Sequence, residues 1–236
     1  MRIPARNLRT ALCGATLAAV VTACGGGGSG ADDTPSKKAG TDAAALIDKV
    51  NRTMSGTSFH SSGTTTALGG GTQEIWFDPE KGLRAEGTSE DGKRGEMFCT
   101  DDESYMSAPT LAAALEQSGQ KVSVPSGLAK TYVETEQMGL DCEAFYKIAE
   151  TGTVDPDAGR RVGGRDTTAI VVKGAGSEDV YHVAADGEPY ILRLESTRDG
   201  RTSSATYDSF GKEVSVTMPP KQRTIPMDEF LRLTSR

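Results

Sequence analysis

Two histidines, four cysteines and two Ser-x-x-Lys pairs are the side chains of this sequence whose chemistry could go beyond packing. A serine or cysteine nucleophile needs a base within hydrogen-bond reach. His60 and His182 each lie inside a strand-like pattern, and neither has a recognisable nucleophile context. Ser118 to Lys121 and Ser209 to Lys212 share the spacing of penicillin-interactive enzymes, but there the serine starts a helix, whereas Ser118 falls at the end of one. The S-D-N and K-T-G partners of that motif do not occur in the sequence. Asp101, Asp102 and Glu103 put three carboxylates in a row without the spacing of a calcium loop, which fits a hairpin turn. The residues point to a non-catalytic protein that needs no metal or cofactor.

The cysteines carry more. Arg2, Arg6 and Arg9 precede an apolar stretch from Ala11 to Val21, which ends in Val21-Thr22-Ala23-Cys24. That stretch is far shorter than the roughly 20 residues needed to span a bilayer, and it follows basic residues as the apolar region of a secretory signal does. Small residues before a cysteine match a bacterial lipobox. Residues 1–23 are expected to be removed as a signal peptide and Cys24 to become the lipidated first residue. Two or three acyl chains, at roughly 0.8 kcal/mol per buried CH₂, hold a protein on a membrane durably. Cys13 leaves with the signal, so Cys99 and Cys142 remain. In an exported chain they are expected to form a disulfide, since neither has histidines or further cysteines at metal-ligand spacing.

Residues 24–40, rich in Gly, Ser, Asp and Lys, lack hydrophobic periodicity and read as a solvated linker. Loss of residues 1–23 removes three arginines and no acid, leaving 23 basic against 33 acidic residues, a net charge of −10. An acidic surface without a lysine or arginine run excludes nucleic acid and bulk attraction to anionic lipid as partners. Membrane contact is expected through the acyl anchor instead.

Residues 41–236 are long enough for one domain with one core. Thr41 is placed to cap an amphipathic helix with Ala43, Leu46, Ile47, Val50 and Met54 on one face. Strand-like runs follow, separated by turn residues that include Asp91-Gly92, and the pattern predicts antiparallel pairing in sequence order. "APTLAAALEQSG" predicts a helix. So does "LDCEAFYKIAETG", with Asp141 as cap, Leu140 and Phe145 as a hydrophobic staple, and Cys142 in the first turn. Five further strands are expected, the last being "EVSVTMP", and then a short helix in "IPMDEFLRL". Along "YILRLES", strict alternation would put Tyr190, Leu192 and Leu194 on one face and Ile191, Arg193 and Glu195 on the other.

The order of parts, with "VGG" before a strand, the turn "ADGEPYILRLE" and the ending "YDSFG … VTMPP", resembles the LolA, LolB, LppX and LprG superfamily over residues 41–236, in its lipidated actinobacterial branch. The resemblance implies an α+β fold in which a curved antiparallel sheet, a half-open barrel, wraps around a few helices. It also implies an apolar cavity between sheet and helices that shelters acyl chains from water, at about 25 cal/mol per Å² of apolar surface buried. The implied role is a tethered cell-envelope lipoprotein, on the extracellular face of the cell membrane, that binds and transfers lipid. Ile75, Phe77, Ile170, Val172, Tyr190, Leu192 and Leu194 are the strand positions that could touch such a ligand. The same side chains could instead be consumed in packing the helices, with Trp76 covering an edge. In that case the domain is an envelope interaction or sensor module with a filled core, its protein partner unnamed by the sequence.

Overall fold

The computed structural model describes residues 36–67, 70–135 and 142–235. The expected signal peptide and lipidated Cys24, most of the expected linker, and the cap and staple assigned to Asp141 and Leu140 lie outside the described residues. Helix α1 (Ser36–Ser55) begins before Thr41, which therefore lies inside the helix and not at its cap. Its apolar stripe is the expected one: Ala43, Ile47, Val50 and Met54 are all buried.

Five strands follow as a meander: β1 (Phe59–Thr64), β2 (Thr72–Asp78), β3 (Gly82–Thr88), β4 (Arg94–Cys99) and β5 (Ser104–Ser107). Helix α2 (Ala108–Gln117) leads to β6 (Tyr132–Glu134), which pairs with β5. After β7 (Thr153–Asp155) and β8 (Arg161–Val162) comes a second meander of β9 (Arg165–Gly174), β10 (Ser177–Ala184), β11 (Ile191–Arg198) and β12 (Arg201–Asp208). The tight turn between β11 and β12 holds Asp199 and Gly200 at φ 50° and 77°, the left-handed pair that a two-residue hairpin requires. β13 (Thr224–Ile225) and α3 (Met227–Thr234) complete the chain.

All described strands but one join a single open sheet in the order β13-β6-β5-β4-β3-β2-β1-β12-β11-β10-β9-β7, with β8 attached to β9. Pairing is antiparallel throughout except between β13 and β6. The two meanders are stitched together by β1 and β12, with His60 opposite Asp208 and Gly63 opposite Ala205. This is the half-open, curved α+β sheet that the sequence resemblance implied.

Three expectations are corrected. Residues 142–145 form a short 3-10 turn where a longer helix was expected. Residues 213–219 form no strand where one was expected, although Val214 and Val216 are buried. The alternation of β11 is broken: the register with β10 shifts beside His182 and Val183, so Val183 pairs with Ile191 and His182 with Arg193. A β-bulge inserts one unpaired residue and reverses the faces beyond it. Ile191 and Leu194 consequently both join the core, while Leu192 is buried outside it.

The core lies on the concave face. Phe59 packs with Phe77, Tyr146 and Tyr207, its ring centroid 5.2 to 5.6 Å from theirs. Ile47, Val50 and Met54 of α1, Leu111 of α2 and Phe230 of α3 fill the space above. Cys99 at the end of β4 is bonded to Cys142, so the predicted disulfide joins the sheet to the 3-10 turn.

Candidate functional site

The concave face is filled at one end and thinly furnished at the other. One cross-strand row runs Ile170, Tyr181, Leu194, Ala205, Gly63, Gln73, Gly87, Gly95 over eight adjacent strands. Bulk falls away along it, from isoleucine and tyrosine to glycine. A glycine inside a strand marks a bend or a place where something else comes close, and the three glycines differ. A β-carbon on Gly63 would stand 2.0 Å from the Ser204 carbonyl oxygen, so this glycine permits the tight approach of β1 and β12. One on Gly95 would meet Thr110 of α2 at 2.1 Å. One on Gly87 would have only the Thr72 carbonyl oxygen near it, at 3.8 Å. Among the described residues, the space over Gly87 is open.

A recess of about 130 Å³ sits at this end, lined by the 64–67 segment, Gln73, Leu194, Ser196, Arg198 and the 203–205 segment. Its wall carries a polar network. Arg198 Nη2 donates to Asp179 Oδ2 at 2.7 Å, and Ser196 Oγ donates to Asp179 Oδ1 at 2.6 Å. The Asp179 carboxylate in turn holds the Arg198 guanidinium above its ordinary range. Burial, and then Asp179, push the neighbouring Tyr181 hydroxyl up to about 12, so it stays a neutral phenol. Leu194 and Ala205 form the apolar floor. The arrangement can seat a small amphipathic group, apolar part inward and polar part toward Ser196, Arg198 and Gln73. It offers no nucleophile paired with a base. No cluster of metal-ligating side chains occurs among the described residues.

Of the ligand positions read from the sequence, only Leu194 lines this recess. Ile75, Phe77 and Ile170 are 1%, 6% and 0% exposed, inside the core cluster. Val172 and Tyr190 pack against that cluster, Tyr190 by stacking on Phe210 with centroids 4.2 Å apart. Leu192 stands apart because of the bulge. Trp76 lies on the convex face between His60 and Arg84, with the Arg84 guanidinium 5.1 Å from its ring. Asp179, Arg198, Gln73 and Gly87 were not anticipated. The one signal for them was Gly87 at an inward position of an otherwise alternating strand.

A second recess, of about 410 Å³, opens on the opposite face between Thr64, Glu178, Val180, Arg193, Glu195 and the hydroxyls of Thr197, Thr202 and Ser204. Beside it His182 is fully buried, both ring nitrogens without a hydrogen-bond partner among the described residues.

No family model matches the sequence, and no curated protein does. Solved structures do resemble it. An uncharacterized conserved protein from Thermus thermophilus superposes with a TM-score of 0.50 at 11% identity, over 78% of this chain and 99% of that one. Lipoprotein LppX of Mycobacterium tuberculosis gives 0.48 at 12% identity over 75% and 99%. LprF of Mycobacterium bovis gives 0.44 at 12% identity over 76% and 97%. At such identities the likeness is one of fold. The chain shares its fold with the Thermus protein, here an antiparallel sheet left open around its helices.

Proposed function

We infer that this protein is a membrane-tethered envelope lipoprotein that binds an amphipathic acyl lipid on the open stretch of its concave face and carries it without making or breaking a bond. The observation behind this reading is the uncovered space over Gly87, continuous in register with Leu194 while the rest of the face is filled. Burial of apolar surface supplies the affinity, and the Ser196, Arg198 and Asp179 network meets the polar end of the ligand. The recess of 130 Å³ is smaller than the roughly 300–1,000 Å³ that encloses a whole small molecule. The ligand is therefore seated partly in the recess, with its chain along the sheet, and a longer chain requires the covering segments to move. Cys24 supplies the anchor to the extracellular face of the cell membrane, and the linker that follows it ends at α1, whose first residue is Ser36 and not Thr41. No helix of the described residues is long and apolar enough to cross a membrane.

The test is native mass spectrometry with organic extraction on an unacylated protein beginning near residue 41, so that its own anchor cannot occupy the recess. Extractable acyl lipid that is lost in Leu194→Trp, with the fold retained, supports the reading. A second reading has its own observation: Ile75, Phe77 and Ile170 are wholly consumed by packing, as in an interaction module with a filled core. A lipid-free protein from native membranes would establish that alternative.

A further inference from the structure

His182 lies on the convex face of β10, roofed by the connection from β7 to β9. Arg160 of that connection reaches over it to form an ion pair with Glu195 Oε2 on β11. Arg193 Nε donates to Glu195 Oε1 at 2.9 Å. The same connection is fastened to β9 by Thr167, whose hydroxyl donates to the Arg160 carbonyl at 2.6 Å and accepts the Arg160 N–H at 3.2 Å. The imidazole is 0% exposed. Its closest ionic neighbour is Glu195 Oε2, 3.7 Å from Nε2 and too far for a hydrogen bond. A buried polar group without a partner costs free energy that the fold does not recover elsewhere.

The charged groups facing the ring are Arg160 from the roof and Arg193 and Glu195 from β11. From β9 the convex-facing neighbours are Thr167, Ala169 and Val171, none of them charged. Beyond them Asp155 of β7 is occupied in accepting the backbone N–H groups of Asp157 and Ala158. One carboxylate thus serves two guanidinium groups above a neutral imidazole.

We propose that His182 is the trigger of a proton-operated latch: when the ring is protonated it takes Glu195 from Arg160, and residues 156–160 lift from the sheet while β8 stays paired to β9. The proton comes from solvent and resides on the imidazole, and no other bond changes. The balance favours release. A charged imidazolium cannot remain buried between two guanidinium groups without an anion, and Glu195 Oε2 is the nearest one. Although burial opposes it, Arg193 and Arg160 hold the Glu195 carboxyl below the usual carboxylate range, so the anion persists where histidine becomes charged. Lifting the roof exposes His182 next to the recess that Arg193 and Glu195 already line. The latch thereby couples proton uptake to a change in the convex surface.

Amide exchange of the full-length protein, read as protection factors near pH 7.5 and about pH 4.5, tests this. The 156–160 amides are expected to lose about tenfold or more of their protection on acidification while β1 to β4 keep theirs, as local opening does. His182→Gln should keep the connection protected at both pH values. Arg160→Gln, an exposed substitution that removes the ion pair with Glu195 but keeps the backbone bonds to Thr167, should lower protection already at pH 7.5 and show little further loss on acidification. Unchanged protection at acidic pH in the wild type overturns the proposal. So does loss in step with the whole sheet, or the same loss in His182→Gln. If His182→Gln fails to fold, a wild-type loss that survives undiminished in Arg160→Gln overturns it equally.

Discussion

Asn51 and the backbone of Ile148 hold each other through two hydrogen bonds. The side-chain amide donates to the Ile148 carbonyl at 2.9 Å, and its oxygen accepts the Ile148 N–H at 2.8 Å. This clasp locks α1 to the segment that leads from the 3-10 turn into β7, and so sets the depth at which the helix sits on the sheet.

Asn51→Leu should therefore cost more than a lone hydrogen bond, since it leaves two backbone groups without partners. The expected loss is about 2–4 kcal/mol, read as a lower urea midpoint with unchanged slope. A loss no larger than that of an exposed helix substitution would show that water replaces the clasp.

Replacing Cys99 and Cys142 by serine opens a loop with a sequence separation of 43 residues. Chain entropy predicts a loss of about 2–4 kcal/mol. Denaturant titration with and without reductant should move the wild type to the midpoint of the double variant. If reductant leaves the midpoint where it was, the crosslink contributes nothing.

The strand glycines separate stability from binding. Gly63→Ala drives a β-carbon against the Ser204 backbone and should destabilise by about 1–3 kcal/mol. Gly87→Leu points into open space, so its midpoint should stay close to wild type while co-purifying lipid falls. Retained lipid in Gly87→Leu would move the ligand away from this stretch of sheet.

Burial first, and Arg160 second, push the His182 imidazole below its ordinary value. The unfolded chain thus takes up a proton that the closed fold resists. Stability is full above about pH 6.5, the unperturbed histidine value, and declines as pH falls toward the depressed one. Urea midpoints near pH 7.5 and about pH 5.5 should show that decline in the wild type and a smaller one in His182→Gln. Equal declines would assign the effect to the carboxylates.

Much of the fold was legible because the turns carry their own chemistry. Asp199-Gly200 fixes one hairpin, and the "VGG" motif turns the chain at Gly163 and Gly164, both at positive φ. The α1 stripe needs only its spacing. The failures share a cause, since each depended on a partner outside the local window. The bulge at Leu192 leaves no mark in composition, yet it reverses a face and removed one candidate ligand contact from the cavity side. β6, β7, β8 and β13 have two or three residues each, too few to show a period, and exist because a neighbouring strand accepts them. Residues 213–219 have the period but no strand beside them. The site was less legible than the fold. Large apolar residues attract attention as ligand contacts, yet they are the residues a core consumes first, and the open stretch is instead marked by glycine and small polar side chains.

The seam between β1 and β12 joins residues nearly 150 positions apart, His60 to Asp208. Such distant partners meet late and slowly. A chain made from its amino end must hold the free flank of its first hairpin unmated until almost all of the sequence has emerged, and throughout that interval the exposed strand edge is vulnerable to proteases and to its own neighbours.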